Sequence, residues 1–177
     1  MGLPKATLEL PNGELMLNRV YRAVSALKLP TTLIGRGPIT DEVKGLEQIS
    51  DAPDVVGPLS GILAAMHHDQ EATWIILACD LPRIEPEAVQ WLIDQRSEAL
   101  TAILPRLSER RVEPLFALYE PAARELLLAI SKSGSPAPKR LASEPRVDAP
   151  EPPRDLRSCW TNINTPDDVA ALSGHRA

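Results

Sequence analysis

Aromatic residues are almost missing from this chain, at 3% of 177 residues, so its core has to be built from Leu, Ile, Val and Ala. Aliphatic cores of that kind suit a parallel sheet covered by helices. Cysteine is nearly absent too. Cys79 and Cys159 lie far apart with no metal-like spacing, and reduced thiols are expected in a chain without a secretory leader. No apolar run approaches the roughly 20 residues that span a bilayer, and no basic stretch followed by an apolar one opens the chain. A cytoplasmic location without membrane association is the expectation. Clustered positive charge is lacking as well: net charge is −5 and the pI is near 5.3. A chain without a basic stripe is poorly suited to nucleic acid, whose phosphates demand clustered Lys and Arg.

What is present has the balance of a folded domain, with 44% hydrophobic and 24% charged residues. The length suits one domain, taken as residues 1–177. Ala6 to Leu10 is broken by the turn signal Pro11-Asn12-Gly13. Leu15, Leu17, Val20, Tyr21, Val24 and Leu27 then fall at helical spacing. Thr31 to Ile34 reads as a buried strand stopped by Gly35-Arg36-Gly37-Pro38, and Ile49-Ser50-Asp51 as a short strand end. Gly57-Pro58-Leu59-Ser60-Gly61 opens a second helix to His68, with Pro58 near its start. Trp74 to Cys79 reads as a fully buried strand with Asp80 at its carboxyl end. Glu85-Pro86-Glu87 begins a third helix to about Arg96, its acidic residues complementing the helix dipole.

Thr101 to Leu104 and Val112 to Tyr119 read as further strands, and Pro121 to Ile130 as a helix. Six prolines then crowd into a surface-hugging excursion at about 133–157, where continuous secondary structure is not expected beyond a turn or two at Lys139 to Glu144. Trp160 to Ile163 reads as a strand-like end, and Pro166-Asp167-Asp168 as the start of a last helix. Alternating strands and helices predict an α/β fold with a mostly parallel, Rossmann-like sheet and helices on both faces.

Ligands of open α/β sheets bind beyond the carboxyl ends of the strands, which singles out Asp51, the Gly57–Gly61 loop, Asp80, Asn162 and Asn164. A lone Asp at a buried strand's exit suits a hard cation such as Mg2+, which takes one or two carboxylates together with substrate phosphates; equally, it caps the turn before Pro82. The two glycines allow the backbone to approach a flat ligand, or simply make a tight connection. Asn162 and Asn164 alternate on an extended segment, so they point the same way; Asn164 has a rival role as a helix cap. Lys5 is placed to neutralise phosphate or to be solvated. His67 and His68 read as a polar helix end.

In order, Met1-Gly2-Leu3-Pro4-Lys5, Asp51 ahead of Gly57-Pro58-Leu59-Ser60-Gly61-Ile62, Cys79-Asp80-Leu81-Pro82, Glu113 to Tyr119, and Asn162-Ile163-Asn164-Thr165-Pro166-Asp167-Asp168 resemble the motifs of the molybdenum cofactor guanylyltransferases. The resemblance spans essentially the whole chain. It implies transfer of GMP from GTP to the phosphate of molybdopterin carrying molybdenum, with Mg2+ as cofactor and pyrophosphate released. Expected partners are GTP, molybdopterin, and recipient molybdoenzymes or other cofactor-biosynthesis proteins. Lys5 matches the family's phosphate-contacting lysine, and Asp80 its magnesium ligand. Asp51, with Asp54 as alternative, matches the reader of the guanine edge. Gly57 and Leu59 belong to the nucleotide-binding loop, and Asn162 and Asn164 match asparagines lining the pterin site. The family's asparagine after the second strand has no match at Gly35-Arg36-Gly37.

The family's opening signature, L-x-A-G-G-x-S-x-R-M-G-x-x-K, is met only at its tail. The expectation is a sheet lacking its first strand and glycine-rich loop, with backbone groups left unpaired at about 1–3 kcal/mol each, poor folding, and little or no guanylyltransferase activity. A true start roughly 10–20 residues upstream is favoured, on the size of that penalty against a stability of about 5–15 kcal/mol; a real truncation, either a decayed copy or a pterin-binding remnant, is the alternative. A cytidylyltransferase acting on the same cofactor is the nearest rival activity. A sugar-phosphate nucleotidyltransferase is disfavoured by the compact length.

Overall fold

The computed structural model describes residues 4–133, 136–163 and Asp168. Its first turn is the one the sequence announces. Gly13 adopts φ +81°, and around it Leu10 N–H bonds to the Glu14 carbonyl at 2.8 Å and Met16 N–H to the Leu8 carbonyl at 2.9 Å. Helix α1 (Met16–Ser25) follows, and buries Met16, Val20, Ala23 and Val24. These positions make one stripe because residues three and four apart share a helix face. Strands β1 (Thr32–Ile34) and β2 (Glu47–Ile49) pair in parallel.

Helix α2 (Pro58–His68) starts where the sequence predicts. Pro58 occupies its first turn, and Gly57 caps it at φ +78°, a conformation that a side-chain-bearing residue rarely adopts. Helix α3 (Pro86–Asp94) falls as expected, whereas strand β3 (Trp74–Leu77) ends two residues earlier than expected and is half-buried apart from the buried Ile76, not fully buried. Strand β4 (Ala102–Ile103) is short. The strand expected over Val112 to Tyr119 is two strands. Val112 belongs to a hairpin of β5 (Arg106–Ser108) and β6 (Arg111–Val112), and Pro114 separates it from β7 (Phe116–Tyr119). Proline has no N–H to give a ladder, so a strand cannot run through it unbroken. Helix α4 (Ala123–Ser131) follows.

The proline-rich excursion is more ordered than expected. Pro138–Ser143 form a 3-10 helix, and β8 (Val147–Asp148) pairs in parallel with β4. Trp160 does not stand in a strand-like end. It closes a 3-10 turn over Arg157–Trp160, stacks on Phe116 with ring centroids 4.2 Å apart, and donates its indole N–H to the Phe116 carbonyl at 3.1 Å. A large buried ring with a polar handle is held best where its N–H finds an acceptor. The helix expected from Pro166 lies outside the described residues.

The main sheet has the order β3-β7-β4-β8. It is mixed, since β7 runs antiparallel to both neighbours while β3, β4 and β8 share one direction. All four residues of β7 are buried. Alternate strand residues face opposite sides, and the core divides accordingly. Ile76, Ala102, Ala117 and Tyr119 pack with α2 and α4, whereas Ile103, Phe116 and Leu118 pack with α1 and α3. The fold is α/β, a sheet layer between two helical layers. His68, at the end of α2, meets Glu47 at 3.1 Å and lies edge-on to Trp74. Those two residues begin β2 and β3, so β1, β2 and β3 run the same way.

Candidate nucleotide site

Co-directional strands bring their carboxyl ends to one side, and the polar residues singled out in the sequence gather there. A cavity of about 770 Å³ is lined by Gly35, Asp51, Gly57, Gly61, Asp80 and Asn162, among others. Asp80 follows β3 and is only 8% exposed. One of its oxygens, Oδ2, accepts a hydrogen bond from Lys5 Nζ at 2.7 Å. The other, Oδ1, is buried without a hydrogen-bond partner, and so is Asn162 Oδ1. The backbone holds these two residues together, because Ile163 N–H donates to the Asp80 carbonyl at 3.0 Å. Orphaned buried oxygens are costly, and those in native sites ask for an ion or ligand. Two hard oxygen donors on residues that the backbone brings together suit a hard divalent cation that draws its remaining ligands from phosphate and water. Among the described residues no cluster of three or more His, Cys, Asp or Glu forms a self-sufficient metal cage.

Asp51 is placed differently. It is solvent-exposed, and its carboxylate lies between Gly35 and the start of α2. Ser60 Oγ stands 2.9 Å from Asp51 Oδ1 and 2.7 Å from the Gly57 carbonyl. A hydroxyl has one proton, so it serves one of these acceptors at a time. A Cβ at Gly35, which has φ +96°, would stand 3.3 Å from Asp51 Oδ2. Asp51 therefore keeps acceptor capacity facing the cavity, enough to receive the paired N–H donors of a flat ring edge. Asp54, with φ +63°, is exposed in the preceding loop and does not line the cavity. Leu59 is fully buried in the core shared with α4, so only its backbone is available to a ligand. Asn164 lies outside the described residues.

Gly35 and Ser60 are the residues that the sequence reading left without a role. Gly35 had a legible signal as the first residue after a buried strand; Ser60 had one as a hydroxyl in the first turn of a helix that faces a strand end. His67 and His68 stay apart from the polar end, with His68 engaged by Glu47. Burial, and next the Asp80 carboxylate, push the Cys79 thiol pKa up. Thiolate, the reactive form, is thereby disfavoured.

Comparison with known proteins fits this architecture. The family model described as "MobA-like NTP transferase domain" matches residues 1–147. A protein of Bacillus cereus strain G9842 named "Probable molybdenum cofactor guanylyltransferase" is 25% identical over 174 residues, covering 94% of this chain and 86% of its own length. Among solved structures, molybdopterin-guanine dinucleotide biosynthesis protein A from Archaeoglobus fulgidus superimposes with a TM-score of 0.77 at 24% identity, covering 98% of this chain and 90% of that one. A 4-diphosphocytidyl-2C-methyl-D-erythritol synthase gives a TM-score of 0.64 at 13% identity, covering 96% of this chain and 92% of the other. At these identities the structural matches speak to the fold.

Proposed function

The chain belongs to the MobA-like NTP transferase domain family, a family of nucleotidyltransferases, and from that premise we propose that it transfers GMP from GTP to molybdopterin carrying molybdenum. An oxygen of the pterin's phosphate attacks the α-phosphorus of GTP, the bond to the β-phosphate breaks, and pyrophosphate leaves. Such transfers depend mainly on positioning and on neutralising charge spread over phosphate oxygens. No covalent intermediate with the protein is required.

The observation that carries the reading is Asp80: buried, salt-bridged through one oxygen, unsatisfied at the other, and tied to Asn162 by the Ile163 hydrogen bond. In this reading Asp80 and Asn162 hold Mg2+, which bound there would polarise the phosphate oxygens. Lys5 neutralises phosphate charge from its place beside Asp80. Asp51 accepts the N–H donors of the guanine edge, with Gly35 keeping its approach clear and the backbone of Gly57 and Leu59 bordering the base. Asn162 also borders the place of the pterin, and Asn164 is its counterpart in the family's motif.

The cavity is large, about 770 Å³, and charge interactions weaken wherever water enters a site. Turnover by the 177-residue chain is expected to be slow even where binding is retained. Pyrophosphate release near a typical enzymatic rate of about 10 s⁻¹ would contradict that expectation. Thermal shift with Mg2+ and GTP or CTP tests the base assignment. A larger rise with GTP supports the guanylyl reading, and a larger rise with CTP replaces it with the cytidylyl one. Pterin binding with neither nucleotide bound would reduce the protein to a binding module.

A further inference from the structure

The two carboxylates at the polar end of the cavity are held very differently. Asp80 is buried and paired with Lys5. Asp51 is solvent-exposed, and among the described residues no Lys, Arg or His forms an ion pair with it. A base reader needs more than a carboxylate in the right place. The guanine edge offers two parallel N–H donors, one from the ring and one from the 2-amino group. A carboxylate accepts both only when its plane is aligned with that edge. One that turned freely in water would meet a single donor at a time.

Ser60 supplies the alignment. It stands in the first turn of α2 and is only 7% exposed. Its N–H donates to the Gly57 carbonyl at 3.0 Å, and its own carbonyl accepts the Ala52 N–H at 3.1 Å. Ala52 directly follows Asp51, so the second bond fixes the helix turn against the chain that carries the carboxylate. The Ser60 hydroxyl then lies 2.9 Å from Asp51 Oδ1, and among the described residues it is the one hydrogen-bond donor to that carboxylate. The Gly57 carbonyl lies 2.7 Å from the same hydroxyl, but it already receives the Ser60 N–H. A bond to an ionised acceptor is about twice as strong as a neutral one. The hydroxyl proton therefore does more on Asp51.

Two glycines complete the notch. A Cβ at Gly35 would meet Asp51 Oδ2 at 3.3 Å, and one at Gly61 would meet Oδ1 at 3.6 Å. Gly35 thus borders one oxygen, and Gly61 and Ser60 border the other. An ionised carboxyl group has about four lone-pair sites. Ser60 takes one of them on Oδ1, and each oxygen keeps a site for a ligand. We propose that Ser60 is the positioning residue that sets the carboxylate plane of Asp51, and that it thereby makes the site detect the 2-amino group of a purine. The inference rests on the reading of Asp51 as the guanine reader, and it assigns the selection to a residue that acts through Asp51. Without the hydroxyl, Asp51 turns, and the paired contact with guanine falls to the single N–H that a purine lacking the amino group also offers.

Calorimetric titration of GTP and of inosine triphosphate, each with Mg2+, tests this on the full chain. Inosine triphosphate keeps the ring N–H and lacks the 2-amino group, so the ratio of the two affinities reads the second bond. The wild type is expected to favour GTP by about tenfold or more, the scale of one hydrogen bond to a charged acceptor. Ser60→Ala should cut that ratio by about three- to tenfold, and Ser60→Thr, which keeps the hydroxyl, should restore it. Asp51→Asn should lower the ratio too, and adding Ser60→Ala to it should change nothing more, because the two residues act as one unit. Ser60→Ala retains both backbone bonds of residue 60. A merely structural loss would lower the melting temperature and weaken both nucleotides alike, leaving the ratio where it was.

An unchanged ratio in Ser60→Ala, with the wild type discriminating, would overturn the role of Ser60 and leave Asp51 as the reader. A Ser60→Ala effect of full size in the Asp51→Asn background would overturn it as well, since the hydroxyl would then act on Gly57 or on the base itself. A wild type that binds the two nucleotides equally, or binds neither, would remove the reading of Asp51 and this proposal with it.

Discussion

Asp80 divides its two oxygens between a cation already present and a vacancy in hydrogen bonding, and Lys5 is the cation. The ammonium therefore competes with a metal for the same carboxylate while favouring phosphate binding beside it. Replacing Lys5 by Ala should move two affinities in opposite directions: Mg2+ alone binds more tightly, and Mg2+ with GTP binds less tightly. Each change is expected at about two- to fivefold, the scale of a partly exposed ion pair worth up to about 1 kcal/mol. Calorimetry with and without GTP reads both. Gly35 carries a second prediction. Alanine there must hold φ +96° with its Cβ 3.3 Å from Asp51 Oδ2, so strain and displacement of Asp51 coincide. Gly35→Ala should lose about 1–2 kcal/mol in urea unfolding and narrow the gap between GTP and CTP thermal shifts. The sequence made Asp80 legible, since a carboxylate after six apolar residues has to emerge at a strand end. It did not make the Lys5–Asp80 contact legible, because nothing local to either residue encodes a pairing across 75 positions.

At the scale of elements, ion pairs and rings fasten the pieces that short strands cannot. Glu120, just after β7, receives hydrogen bonds from Arg96, beyond α3, and from Thr73, just before β3. Burial by itself would push its carboxyl up, but the bonds from Arg96 and Thr73 outweigh that and hold the pKa below its ordinary 4.5. A carboxylate depressed in the folded state stabilises the fold above its unfolded pKa, and that stability fades as pH falls through the folded value. Stability should thus decline on acidification below about pH 4.5, and Glu120→Gln should flatten that part of the pH profile of Tm. Trp160 fastens the last described stretch to the sheet through Phe116. Trp160→Ala is expected to lose about 3–5 kcal/mol, most of a modest domain's stability. Denaturant titration measures it, and Trp160→Phe should keep much of the stacking while losing the indole bond.

The four α-helices among the described residues were readable because each carries periodic apolar positions and a proline or glycine near a boundary, as at Gly57-Pro58 and Pro86. The two-residue strands β4, β6 and β8 hold no such pattern. Their identity comes from pairing, as when β8 is selected by its fit against β4 inside a proline-rich segment whose composition argues for loop. Trp160 misled for the related reason that its neighbours looked extended, whereas a buried ring seeking an acceptor decided its backbone.

Across the whole molecule, the two-stranded sheet of β1 and β2 and the four-stranded sheet of β3, β7, β4 and β8 are both packed against α2. The sequence reading placed Asp51, Asp80 and Asn162 at strand ends, but it could not show that they line one cavity. The site's chemistry is thereby drawn from strands, a loop and the 3-10 turn region that the fold alone brings together. The most direct test of the account is calorimetric titration of GTP into the wild-type chain and Asp80→Asn, each with Mg2+ and with a chelator. The account predicts that Mg2+ tightens GTP binding to the wild type and that Asp80→Asn loses this enhancement by about 10–100-fold, the scale of one charge-assisted contact of about 1.5–3 kcal/mol. Equal enhancement by Mg2+ in both proteins would contradict it.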